Sequence, residues 1–152
     1  GGPVTGAARQ KITLDAAMQG VGFAGETMLD SVTEALTAGR IADLQAGLAQ
    51  LYEQGIPPIA VLRAVQNHLR RLHAAKAMIA EGRTEKEAMA GLNPPVFFKQ
   101  EKSFVQSLQK WPVPKVIRAL GYVKNLEEDI KRSGRPPETL VAYGLGRLAH
   151  FA

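Results

Sequence analysis

Apolar residues recur three and four positions apart along most of the chain, and glycines and prolines cut that rhythm into segments. The stretch ETMLDSVTEALTAG (26–39) sets Leu29, Val32 and Leu36 at helical spacing and stops at Gly39. IADLQAGLAQLYEQG (41–55) repeats the design, with Ile41, Leu44, Leu48 and Leu51 on one stripe and Gly55 as terminator. A proline is tolerated in a first turn, so IPP (56–58) predicts the start of a long helix over about 58–81. Within it Leu62, Val65, Leu69 and Leu72 fall in a stripe roughly 80° wide at about 100° per residue. They form the predicted core stripe, and Arg63 and Arg70 project away from it.

Further on, TEKEAMAG (84–91) reads as a capping box, in which Thr84 accepts from the backbone of Glu87 and Glu87 reaches back to Thr84. VFFKQEKSFVQSLQKW (96–111) puts Phe97, Phe98, Phe104, Val105 and Leu108 on an apolar side, and WPVP breaks it. KVIRALGYVKNLEEDIKRSG (115–134) and ETLVAYGLGRLAHFA (138–152), opened by RPP, complete the pattern. At the other end Thr13 caps a short helix (13–19), and the three glycines of GVGFAG (20–25) mark a linker. Alternating strand patterns are absent. The expected fold is all-α, a bundle of about seven to eight amphipathic helices whose short links make neighbours mostly antiparallel.

Composition narrows the class. A chain of 152 residues, 45% hydrophobic and 22% charged, suits one soluble globular unit. No uncharged apolar run approaches the roughly 20 residues of a membrane span, and the start lacks the apolar core of a signal peptide. The absence of cysteine excludes disulfides, thiol catalysis and thiolate zinc sites, and fits the cytoplasm. The leading GG, without a methionine, reads as a cleavage scar on a piece of a longer protein. The net charge of +5 is uneven: residues 1–95 carry nine cations and nine anions, residues 96–152 ten and five. An acidic partner or a nucleic-acid backbone is therefore expected at the C-terminal third.

Candidate chemistry is thin. His68 and His73 lie on opposite flanks of the leucine stripe, about 140° apart, so they cannot share a metal from one helix, and His150 is remote in sequence. Neither a Walker A loop nor a GxSxG elbow occurs, and no hydroxyl has an evident paired base. Glu127, Glu128 and Asp129 are consecutive, so they point around a helix and predict a solvated acidic face. Lys131, Arg132 and Arg135 crowd the KRSGRP turn. Read plainly, they are cations at a helix C-terminus, where the dipole is negative; read functionally, they are candidate phosphate contacts. Phe97, Phe98 and Trp111 could form a stacking platform, but aromatics at helical spacing are more often core. No catalytic, metal-binding or cofactor-binding residue is expected.

The order of ITLDAAMQGVG, MLDSVTEALTAGRIADLQAGLAQLYEQGIPPIAVLRAVQNHLRRL, PPVFFKQEKSFVQSLQKW and LEEDIKRSGRPPETLVAYGLGRLA resembles the C-terminal part of the delta subunit of the bacterial DNA polymerase III clamp loader. The resemblance covers nearly the whole chain. It implies that residues 1–25 are the scar, the end of an AAA+-type lid domain and a linker, and that residues 26–152 are the helical collar domain. A collar of this kind holds a ring of five subunits together, so the implied partners are the delta prime and tau/gamma collar domains, with weak contact to primed template DNA. Binding of the sliding clamp is implied to belong to an N-terminal AAA+-related domain outside this chain. Membership of the polymerase holoenzyme would attach the chain to a nucleotidyltransferase assembly in which it performs no transfer itself. The alternative is a free-standing helical nucleic-acid-binding module, which needs a recognition helix rich in base-reading side chains. The acidic, short TEKEAMA segment suits that poorly.

Overall fold

Phe23–Ala38 forms the first helix, α1, of a computed structural model that describes residues 23–152. The expected short helix at 13–19 and the start of the linker lie outside the described residues. Residues 23–25, expected in that linker, belong instead to the first turn of α1. Gly25 is buried there, and packing overrides the poor helix propensity of glycine. The remaining helices are α2 (Ile41–Glu53), α3 (Pro58–Ala80), α4 (Glu85–Gly91), α5 (Glu101–Lys110), α6 (Val113–Arg132) and α7 (Pro137–His150). A single 3₁₀ turn, Phe98–Gln100, precedes α5. No strand occurs among the described residues, and the fold is an all-α bundle. Nor is any of their helices long and apolar enough to cross a membrane.

The punctuation residues act as their chemistry requires. Gly39 and Gly55 adopt φ of +76° and +79°, a left-handed conformation that costs a residue with a Cβ but not glycine. Each lets the next segment fold back, with Arg40 N donating to the Ala35 carbonyl and Ile56 N to the Leu51 carbonyl. Pro58, Pro114 and Pro137 occupy first turns, where no amide hydrogen is needed. The capping box closes both ways: Glu87 N donates to Thr84 Oγ1 at 3.0 Å, and Thr84 N to Glu87 Oε1 at 2.9 Å.

Helix α3 is the axis of the bundle, packing against α1, α4, α5, α6 and α7. Leu62, Val65, Leu69 and Leu72 are fully buried, as their spacing requires. Helix α1 is the second hub, covered by α2, α5 and α7. Two helix pairs approach closely because one partner offers a glycine. A Cβ on Gly47 would lie 2.7 Å from Val32 Cγ2, and one on Gly144 2.6 Å from Leu126 Cδ2.

Three sequence expectations need correction. Ile41, the first residue of α2, lies at the edge of the bundle and is 38% exposed rather than core. Phe97 and Phe98 are 53% and 69% exposed. Helical spacing does not apply to them, because Phe97 has extended backbone and the α-helix begins only at Glu101. Phe104, Leu108 and Trp111 are buried as expected, and Val105 packs against the core.

Candidate functional site

Helices α3 and α6 run antiparallel, and between them lies a groove of about 440 Å³. Arg63, Gln66 and Arg70 line it from α3; Leu120, Gly121, Lys124 and Glu127 line it from α6. The groove is basic because α3 contains no acidic residue and α6 contains none before Glu127. Arg70 and Lys124 are exposed and make no ion pair among the described residues. A Cβ on Gly121 would meet nothing within 4 Å, so the groove wall there is bare backbone in open space.

Glu127 departs from the expected solvated acidic face. Its side chain is only 16% exposed and bridges the two helices. Oε1 accepts from Gln66 Nε2 at 3.1 Å, Oε2 accepts from Lys131 Nζ at 3.2 Å, and Arg63 Nη2 lies 3.9 Å away. Burial pushes its carboxyl up, but the hydrogen bonds from Gln66 and Lys131 and the charges of Lys131 and Arg63 outweigh burial and hold it below the usual value. Asp129 pairs with Arg132 at 3.3 Å, and Glu128 remains exposed.

Of the three cations singled out in KRSGRP, Lys131 and Arg132 therefore fall in the last turn of α6 and pair within it. The Arg132–Asp129 pair is an exposed helix-surface contact of modest strength, whereas Lys131 is held by the largely buried Glu127. Arg135 follows in the connection to α7, where its backbone N donates to Ser133 Oγ at 3.0 Å. Only Lys131, through Glu127, touches the α3–α6 groove. Gln66, Gly121 and Lys124 escape a search for motifs. The signal that finds them is the long acid-free run on each helix together with knowledge of their pairing.

A second polar centre is buried at the end of α1. Thr37 Oγ1 lies 2.7 Å from Ser107 Oγ and 2.9 Å from His68 Nε2, while Trp111 Nε1 donates to the Thr37 carbonyl at 2.8 Å. The His68 ring also meets Phe104 edge-on at 6.1 Å. Burial, aided by the charge of Arg71, pushes the His68 pKa down to about 4, so the ring is neutral near pH 7. His73 is exposed, and His150 lies at the end of α7 beside Phe151. The three histidines do not converge, and no group of three metal-ligating side chains forms among the described residues. This polar centre joins α1, α3 and α5, with Thr37 and Ser107 buried and His68 partly exposed.

Apart from Ile117 on α6, which is 54% exposed, the exposed large apolar side chains belong to two parts of the chain. Ile41 of α2 and Tyr143 and Phe151 of the C-terminal segment are the first, and Tyr143 lines a groove of about 510 Å³ between α2 and α7. Tyr52 lines that groove, and its hydroxyl is buried without a hydrogen-bond partner among the described residues. The second is the α4–α5 connection, where the Phe97 and Phe98 rings are 4.8 Å apart with Lys99 Nζ 6.0 Å from the Phe98 ring. Trp111 takes no part in such a platform, because its indole is core. Comparison with protein-family profiles, with curated proteins and with solved structures returns no match for the chain.

Proposed function

We propose that this chain is the collar part of a delta-type clamp-loader subunit, a ring-forming scaffold that works in the cytoplasm and not an enzyme. The observation that carries the reading is the distribution of exposed apolar residues on a well-packed bundle. Ile41, Tyr143 and Phe151 belong to one pair of elements, Phe97 and Phe98 to another, and Ile117 stands apart on α6. A subunit in a ring of unlike neighbours presents two different faces, one to each side. The ordered resemblance of the helical segments to the delta subunit supports the same reading. The test is to mix the chain with the delta prime and tau/gamma collar domains and follow co-elution. Absence of any complex with all of them removes the proposal.

A second reading, a free-standing nucleic-acid-binding module, has the basic α3–α6 groove in its favour. Against it, α4 has seven residues and two acidic side chains in its first turn, unlike a base-reading helix.

A further inference from the structure

We propose that the α3–α6 groove is a binding site for the phosphodiester backbone of nucleic acid, with Arg63, Arg70 and Lys124 as its phosphate contacts. The inference does not depend on the collar reading, since it rests on the charge and shape of this groove alone. It also moves the expected nucleic-acid surface away from the KRSGRP turn. There two of the three cations are held by carboxylates of their own helix, whereas Arg70 and Lys124 are exposed and uncommitted.

Three features favour this ligand. First, the cations are strung along the groove. Arg63 and Arg70 are seven residues apart on α3, which places them about 10 Å apart along its axis. Lys124 faces them from α6. A line of charge suits a polyanion better than a single anion, which needs cations converging on one point. Second, the one carboxylate lining the groove is already neutralised: Glu127 accepts from Gln66 and Lys131 and lies near Arg63. Third, Gly121 leaves bare backbone on the α6 wall, where a sugar-phosphate chain can approach closely.

An acidic protein segment would find the same cations, but stable protein contacts need buried apolar anchors at their centre. Among the described residues Leu120 is the only large apolar side chain lining this groove, and the exposed Ile117 of α6 is not part of its lining. A nucleic-acid backbone needs no such anchor, because counterion release drives its binding.

The test is fluorescence anisotropy of a labelled duplex oligonucleotide titrated with the 152-residue chain across a salt series. Four forms are compared: wild type, Arg70→Ala/Lys124→Ala, the control Lys86→Ala/Lys102→Ala with the same change in net charge at exposed sites elsewhere, and Gly121→Glu. Wild type should bind with a steep log–log salt slope. In Arg70→Ala/Lys124→Ala the slope should fall in magnitude by about 0.9 for each of the two phosphate-binding cations removed. Affinity at low salt should weaken several-fold in that variant and less in the control. Gly121→Glu has open space for its side chain and gains helix propensity, so it should keep the wild-type circular dichroism and melt no lower than wild type while losing binding. The proposal is overturned if the groove double variant keeps the wild-type slope, if the lysine control loses as much as the groove variant, or if wild type shows no binding at a low salt concentration of about 50 mM. It is equally overturned if poly-glutamate of matched charge displaces the duplex more effectively than unlabelled duplex does, which would assign the groove to an acidic protein.

Discussion

The indole Nε1–H of Trp111 donates to the carbonyl of Thr37 at 2.8 Å, tying the chain just after α5 to the last turn of α1. That carbonyl belongs to the group of C-terminal carbonyls a helix cannot satisfy internally. Trp111→Phe keeps most of the apolar volume and removes the donor, leaving a buried acceptor without its partner. It should cost about 1–3 kcal/mol in urea unfolding. A loss below a few tenths would mean that the carbonyl finds another partner.

The neutral state of His68 gives stability a pH dependence. Its folded pKa is about 4, below the ordinary 6.5, so the unfolded chain binds the proton more readily. Stability from this residue is fully present above pH 6.5, declines as pH falls through the window to 4, and declines no further below it. The loss is at most about 3 kcal/mol. His68→Gln should flatten the stability profile between about pH 6.5 and 4.5, where the lowered carboxyls of Glu87 and Glu127 do not yet contribute. Identical profiles for wild type and variant would show that the ring titrates normally in the fold.

Leu69 and its chain neighbour Arg70 lie on different faces of α3: the leucine is buried and the arginine exposed. Leu69→Ala should lose about 2–5 kcal/mol through the cavity it leaves. Arg70→Ala should stay within about 0.5 kcal/mol of wild type. Equal losses in denaturant melts would contradict the packing of α3.

Gly47 and Gly121 separate two consequences of a helical glycine. At Gly121 a methyl group meets nothing, so Gly121→Ala should stabilise by about 0.5–1 kcal/mol through helix propensity. At Gly47 the methyl would press on Val32 Cγ2, a β-branched side chain with little rotamer freedom in a helix. Overpacking typically costs about 1–3 kcal/mol, which exceeds the propensity gain over most of that range, so Gly47→Ala should destabilise. A Gly47→Ala melt that rises, as that of Gly121→Ala should, would refute the close α1–α2 contact.

What is legible in the chain follows from the range of the physics involved. The leucine stripe of α3, the Thr84–Glu87 capping box and the turns at Gly39 and Gly55 depend on residues within a turn or two of each other. Pattern alone finds them. The bridging role of Glu127 depends on α6 lying beside α3, and the need for glycine at 47 and 144 depends on which helices cross there. No local periodicity carries that information. Phe97 and Phe98 mislead because their spacing is helical while the helix itself begins only at Glu101. The cations of KRSGRP are visible as a cluster, yet their carboxylate partners on the preceding turn decide what they are free to bind.

A ring-forming collar is tested most directly by the mass of its complexes, measured by size-exclusion chromatography with light scattering. Mixed with the delta prime and tau/gamma collar domains, the chain should enter a stoichiometric complex, and Tyr143→Asp/Phe151→Asp should weaken that complex without changing the melt of the isolated chain. A chain that elutes alone beside every partner collar, at concentrations where those partners associate with one another, would contradict the collar assignment.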